Sequence, residues 1–158
     1  MSDSSLYSDY IMTRQRVDML ERVEKNVTYL TLRRTTTQTI ATTGTIISWE
    51  DAVRNVGFTW SAGTSITIPQ TGFYALDVAF TFIGASVTVA SIVVNGVIVG
   101  TMNNYYGTGT LNRAGAMRHF TTGDTVEVQL ANVTARVMTV NAYGVAGESP
   151  FLHIVRVA

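Results

Sequence analysis

The run GFYALDVAFTFIG, residues 72–84, has a large apolar or aromatic side chain at every second position from Tyr74 to Phe82. A period of two is the pattern of an extended strand with one buried face. The side chains that it places together on that face are Tyr74, Leu76, Val78, Phe80 and Phe82. The run therefore predicts one long central β-strand, and the rest of the chain has to supply the sheets around it.

Shorter alternating runs lie on both sides of this strand, with turn signals between them. TSITIP stops at Pro69, and SVTVASIVVNGVIVGTM divides at Asn95-Gly96, the strongest short signal for a hairpin. LNRAGAMRHF and TVEVQLA flank a turn at Gly123-Asp124, and FLHIVRVA closes the chain. Several short strands at this spacing, with no helix signal between them, predict a mainly β protein, an antiparallel sandwich or jelly roll.

The N-terminal part of the chain has a different character. Every glycine and both prolines lie after Arg34. Upstream of it, apolar residues recur at intervals of three, four and three: Leu20, Val23, Val27 and Leu30. This spacing is typical of one seam of a coiled coil. Two interpretations are open: an amphipathic helix that lies on its own domain, or a helix that associates with copies of itself. We expect an anchor segment at 1–12, a helical stalk at 13–34 and a β head at 35–158.

Composition excludes several classes of function. The formal net charge of the 158 residues is zero and only 14% are charged, so we expect no nucleic-acid partner and no anionic membrane surface. The absence of cysteine removes disulfides, thiolate metal sites and cysteine nucleophiles. We find no pattern typical of a signal peptide and no apolar run long enough to span a bilayer.

No arrangement of residues in the sequence predicts catalysis. His119 and His153 are the only histidines, and His153 lies between two apolar residues in an alternating run, which favours a packed or interface histidine over a ligand. Gly107-Thr108-Gly109 lacks the third glycine of a phosphate-binding loop. We therefore expect no enzyme activity, no metal and no cofactor.

Asp77 is the one charged residue in the central run, and it points away from the face of Tyr74. It is either a solvent-facing strand residue or a buried group at a subunit contact, where it would need a partner. In the second case Arg113 and Arg118 are the candidate partners.

Aromatic residues in regions that the sequence predicts as loops form a candidate recognition site. Tyr105 and Tyr106 lie in the polar, glycine-rich stretch GTMNNYYGTGT, and Trp60 precedes the TSITIP strand. Such residues stack on sugars or protein surfaces. The alternative is that they pack onto their own domain.

Two stretches of the chain resemble the C1q/TNF family. ISWEDAVRNVGFTW followed by TSITIPQTGFYALDVAFTF resembles the first half of such a domain, and LNRAGAMRHFTTGDTVEVQL resembles its later strands. The matching positions are Trp49, Asn55, Ile66, Ile68, Pro69, Gly72, Tyr74, Gly115, Met117, Gly123, Asp124, Val126, Val128 and Leu130. SPFLHIVRV resembles the closing strand, without the family's glycine between the aromatic residues. The resemblance covers roughly Thr45 to Val157.

This resemblance implies a jelly roll that assembles as a compact trimer, usually preceded by a rod or coiled coil. A helix too short to be stable alone becomes reasonable when three chains share its seam. The resemblance therefore favours the self-associating helix and a homotrimer.

The same resemblance, in a short chain without cysteine or a signal-peptide pattern, suggests a structural protein on the surface of a bacteriophage particle, most of all a capsid decoration protein or head fibre. The apolar anchors to the particle would be Tyr7, Tyr10, Ile11 and Met12; the alternative for this segment is a disordered tail. The competing function is the receptor-binding tip of a tail fibre that holds a host glycan. A bacterial surface or spore-coat protein is the remaining interpretation.

Overall fold

The computed structural model describes residues 27–82, 85–108, 112–139 and 150–158. Within these ranges the chain forms two antiparallel sheets and no helix. The larger sheet contains β1 (Tyr29–Arg33), β2 (Gln38–Ile40), β4 (Asp51–Val56), β6 (Gly72–Phe82), β9 (Asn112–Phe120), β11 (Arg136–Thr139) and β12 (Phe151–Arg156). Its order is β2-β11-β6-β12-β1-β4, and β9 also pairs with β6.

The smaller sheet has five strands. They are β3 (Thr45–Ile46), β5 (Ile66–Thr67), β7 (Ala85–Val94), β8 (Val97–Thr108) and β10 (Thr125–Asn132). Its order is β3-β10-β7-β8, and β5 also pairs with β10. The strand β8 is thus one edge of this sheet, and the short strands β3 and β5 lie at the other edge.

The inner faces of the two sheets form the core, as the alternation predicts. Along β6 the side chains of one face are at most 4% exposed, and they are the five that the sequence places there: Tyr74, Leu76, Val78, Phe80 and Phe82. From the smaller sheet, Val126, Val128 and Leu130 are fully buried on β10. The mainly β, antiparallel architecture predicted from the sequence is confirmed.

The turn chemistry is also as predicted. Asn95 and Gly96 both have positive φ, 51° and 80°, which a two-residue hairpin between right-twisted strands requires. The Asn95 side chain donates to Asp124 Oδ1 at 2.9 Å and accepts from the backbone N–H of Thr125 at 2.9 Å. These bonds join the β7–β8 hairpin to the turn between β9 and β10.

The predicted boundary between stalk and head is wrong. Residues 29–33 of the proposed helix form β1, and Leu30 and Leu32 are fully buried in the core. Leu30 and Leu32 are two residues apart, so a strand places both side chains on the core face. The strand β1 then pairs with β12 on one side and with β4 on the other. Leu30 is therefore a core residue and not part of a helical seam. Val27 precedes β1 without helical structure, and Leu20 and Val23 lie outside the described residues.

The C-terminal strand is fixed against the start of β6. The backbone N–H of Phe73 donates to the carbonyl oxygen of Ala158 at 2.7 Å, and that of Val157 donates to Phe73 O at 2.8 Å. A Cβ at Gly72 would lie 2.1 Å from Ala158 O, so the close approach of these two segments requires glycine.

Candidate interaction surface

The side of the seven-stranded sheet that faces away from the core carries the candidate site, and we call it the outer face. Pairing of β4, β1, β12, β6 and β9 brings its residues into parallel rows. Its members are Tyr29, Thr31, Arg33, Arg54, Val56, Phe73, Ala75, Asp77, Ala79, Arg113, Gly115, Met117, His119, Phe151, His153 and Val155. Both histidines of the chain lie on this face.

One half of the outer face is apolar. A single row contains Val56, Tyr29, Val155, Ala75 and Met117 on the five successive strands. Met117 is 64% exposed. The neighbouring Phe73 is 48% exposed, and it contacts the ring of His119 edge-on at 5.2 Å between ring centres. The three residues between Val56 and Met117 are half-buried. A continuous apolar patch that reaches solvent is typical of a surface that another molecule covers.

A group of polar side chains lies in the middle of the same face, and we call it the central polar cluster: Thr31, Arg54, Asp77, Arg113 and His153. Asp77 Oδ2 accepts a hydrogen bond from Arg113 Nη2 at 2.8 Å. His153 Nδ1 lies 2.9 Å from Thr31 Oγ1. His153 is paired in register with both Asp77 and Thr31, and Arg54 stands beside Thr31 on β4.

The aromatic ring of Phe151 supports this cluster. It lies 4.6 Å from the His153 ring, between ring centres, and the guanidinium carbon of Arg113 lies 5.4 Å from its centre. Burial lowers the pKa of His153; the charge of Asp77 opposes this, and those of Arg113 and Arg54 add to it. The neutral imidazole is therefore the form that this surface favours.

Only one of the two predicted partners of Asp77 lies next to it in the structure. Arg113 is its partner within the chain. Arg118 is paired in register with Tyr74, and its guanidinium lies against Gly100 on β8, where a Cβ would be 2.0 Å from Nη2. Arg118 thus reaches from β9 to the neighbouring strand β8. The predicted intersubunit role of Asp77 remains a prediction.

A group of exposed apolar residues lies at the start of the edge strand β8, and we call it the β8 edge: Val97, Ile98 and Val99. These side chains are 63%, 55% and 40% exposed. The β8 edge adjoins β9, so it lies on the side of the sandwich next to the outer face. Because successive residues of a strand point to opposite sides, this group is an apolar edge and not a second apolar face.

The predicted recognition residues lie on different elements of the five-stranded sheet and its connections. Tyr105 and Tyr106 belong to β8 and not to a loop. Trp60 lies in the segment that leads to β5, at the opposite edge of the five-stranded sheet. Its side chain packs against the core, and its Nε1 is shielded from solvent. Tyr105 and Tyr106 thus lie on the strand at one edge of this sheet and Trp60 lies near the other, and their role in recognition stays a prediction.

The apolar half of the outer face was not predicted from the sequence. The signal was present in the central run, where Phe73, Ala75 and Ala79 are also apolar, so that Asp77 is the only charge on either face of β6. A strand with two apolar faces is typical of burial on both sides. The predicted anchors Tyr7, Tyr10, Ile11 and Met12 lie outside the described residues.

Other kinds of site are not found in the described part of the chain. It contains no group of three or more acidic or histidine side chains that could hold a metal ion. A search of the same residues finds no helix with the length and apolar character to span a membrane.

Comparison with known proteins identifies the fold. No profile of a known protein family matches the chain, and no curated protein matches it in sequence. Among solved structures, murine APRIL at pH 8.5 covers 84% of this chain and 100% of its own, with a TM-score of 0.57 and 18% identity. Murine APRIL at pH 8.0 gives the same coverage and TM-score with 19% identity. GITRL from pika covers 84% of this chain and 96% of its own, with a TM-score of 0.49 and 14% identity.

APRIL is a cytokine of the TNF family, and the chain shares its jelly-roll fold. The fold that the sequence resemblance implies, a TNF/C1q-like jelly roll, is thereby confirmed for the head.

Proposed function

We propose that the protein is a non-enzymatic homotrimer in which the outer face of the seven-stranded sheet is covered by neighbouring subunits. The observation that carries the proposal is the apolar row on that face, whose middle residues are half-buried and whose ends, Val56 and Met117, are exposed. An isolated subunit would leave this row in water, at a cost of roughly 25 cal/mol for each Å² of apolar surface.

The presence of an apolar face and a separate apolar edge favours a closed ring over a twofold dimer. A twofold interface uses one patch that is complementary to itself, whereas a closed ring joins two different patches on each subunit. The β8 edge and the outer face lie on adjacent sides of the sandwich and supply such a pair. Trimeric assembly is also what the C1q/TNF-like sequence resemblance implies.

The absence of cysteine allows a direct test with engineered single cysteines. Met117 and Val133 are similarly exposed in one subunit, 64% and 73%, but Val133 follows β10 outside the outer face. We expect Met117→Cys to react with a thiol reagent at least about tenfold more slowly than Val133→Cys, because thiol reactivity depends on access. Equal rates would contradict a covered outer face.

We further propose that the protein has a structural role on the surface of a bacteriophage particle, as a capsid decoration protein or head fibre. The N-terminal residues would attach to a capsid or tail protein, with Tyr7, Tyr10, Ile11 and Met12 as apolar anchors. Residues 13–26 would form the trimeric stalk, with Leu20 and Val23 in its seam. Val27, which leads into β1, lies at the end of the head that carries Gly96 and Gly123. Attachment there leaves the opposite end free.

Labelling of particles with a gold-conjugated antibody against the head tests this assignment by electron microscopy. Gold over the shells would support a decoration protein or head fibre. Gold at tail tips would instead support the receptor-binding function. If no particle is labelled, the virion assignment is wrong, and a bacterial surface trimer becomes the better proposal.

A further inference from the structure

The central polar cluster has an imbalance of charge. Among the described residues around His153, the groups facing it are Arg54 on β4, Thr31 on β1, Asp77 on β6 and Arg113 on β9. The only carboxylate, that of Asp77, already accepts a hydrogen bond from Arg113 at 2.8 Å. A proton on His153 would therefore add a second uncompensated positive charge to the cluster.

His153 also has little freedom to move this charge into water. Its ring is held by Phe151 at 4.6 Å on one side and by Thr31 Oγ1 at 2.9 Å from Nδ1. If a neighbouring subunit covers the outer face, the imidazole loses solvent that would otherwise stabilise the cation. Desolvation of this kind disfavours the charged form of histidine.

His119 has a different environment on the same face. It is exposed at the end of β9, it contacts Phe73 edge-on, and its charge interacts with the carboxylate of Asp124 in the following turn. His119 thus faces a carboxylate, whereas His153 lies among arginines. The two histidines therefore form a matched pair of test positions.

We infer that the subunit contact is sensitive to acid, and that protonation of His153 in the central polar cluster weakens the homotrimer as the pH falls below neutrality. This inference rests on the proposed function, because it requires that the outer face is covered in the assembly. The direction follows from proton linkage: the separated subunit binds the proton more readily than the trimer, so a rise in proton concentration favours separation.

The test is the concentration at which the full chain dissociates, measured by mass photometry or sedimentation at about pH 7.5 and about pH 5.5, where histidine titrates and most carboxylates remain ionised. We expect this concentration to rise at least about tenfold at the lower pH. His153→Gln should remove most of the rise, and His119→Gln should keep it. Circular dichroism at both pH values checks that each variant remains folded.

The possible results separate the inference from the proposal beneath it. A monomer at about pH 7.5 would contradict the homotrimer and the acid sensitivity together. A trimer that dissociates at the same concentration at both pH values would overturn the acid sensitivity alone. An acid effect that persists in His153→Gln would assign it to another group and overturn the role of His153.

A second measurement does not depend on a substitution at the site. Nuclear magnetic resonance of the His153 ring should give a lower pKa at a protein concentration that favours the trimer than at high dilution. A pKa that is independent of protein concentration would contradict the inference.

Discussion

The carboxylate of Asp77 and the guanidinium of Arg113 lie 2.8 Å apart and join the middle of β6 to β9 on the outer face. Their side chains are 38% and 58% exposed in one subunit, so within the subunit this is a surface ion pair. Such pairs contribute roughly 0–1 kcal/mol. The same pair, covered by a neighbouring subunit, would become costly to break.

The first prediction distinguishes an Asp77–Arg113 pair that stays in water from one that a neighbouring subunit covers. Asp77→Asn should lower the unfolding free energy of the separated subunit by less than about 1 kcal/mol. In the assembly, it leaves Arg113 without its counter-ion in a covered surface, and we expect a loss of roughly 3 kcal/mol in the free energy of association. Denaturant unfolding and dilution experiments measure the two quantities. A small effect on both would indicate that the pair stays in water.

A second prediction concerns the close approach of Gly72 to the C-terminal strand. Gly72→Ala would place a Cβ 2.1 Å from Ala158 O, so the segment that accepts the hydrogen bond from Phe73 has to move. We expect a loss of about 1–3 kcal/mol in thermal or denaturant unfolding.

Gly115→Ala is the matched control for this substitution. A Cβ at Gly115 would lie 3.4 Å from Leu76 O, which is close to ordinary contact, and the backbone needs no unusual φ. The change should leave the unfolding free energy of the subunit within about 1 kcal/mol of the unmodified chain. Equal losses at both positions would contradict the account of the C-terminal contact.

The third prediction concerns Glu50, which directly precedes β4, and the dependence of the unfolding free energy on acid pH. Burial raises its pKa, but hydrogen bonds from Thr35 and Thr36 and the charge of Arg34 outweigh burial and hold it at about 2. Because this value lies below the 4.5 of an unperturbed glutamate, the ionised carboxylate stabilises the fold above about pH 4.5. That contribution is lost as the pH falls towards 2.

Glu50→Gln tests this directly. We expect it to cost roughly 1 kcal/mol near neutral pH, after allowance for solvent screening, and to flatten the fall in stability below about pH 4.5. Glu127→Gln, which alters the carboxylate that accepts from Thr64 and Ser65 on the other sheet, is the control and should keep the acid-dependent loss. If both variants lose stability in acid like the unmodified chain, Glu50 has no such role.

The fourth prediction assigns Trp60 to packing rather than to recognition. Trp60→Ala should lower the unfolding free energy by roughly 1–3 kcal/mol, because the ring covers part of the core, and Trp60→Phe should restore much of it. Thermal unfolding measures both. An unchanged unfolding free energy, together with loss of binding to a glycan array, would instead favour the recognition role.

The sequence predicted the β head because its signals are local. Alternation along β6 and positive φ at Asn95 and Gly96 depend on residues that are close in the chain, so the strand and the hairpin could be located from the sequence. The buried face of β6 followed from the same alternation.

The candidate surface was harder to predict because it depends on register between distant strands. Met117, Ala75 and Val155 form one row only because β9 and β12 pair with β6 as they do. The same limit explains the error at Leu30, whose apolar character fits a helical seam and a strand equally well. Only its partners on β4 and β12 distinguish the two.

The central claim is that three chains assemble through the outer face, and the mass of the unmodified chain in solution tests it most directly. Light scattering at micromolar concentration and neutral pH should give three times the chain mass of 17.2 kDa. A mass of 17.2 kDa would show that the outer face and the β8 edge remain exposed, and it would contradict the account.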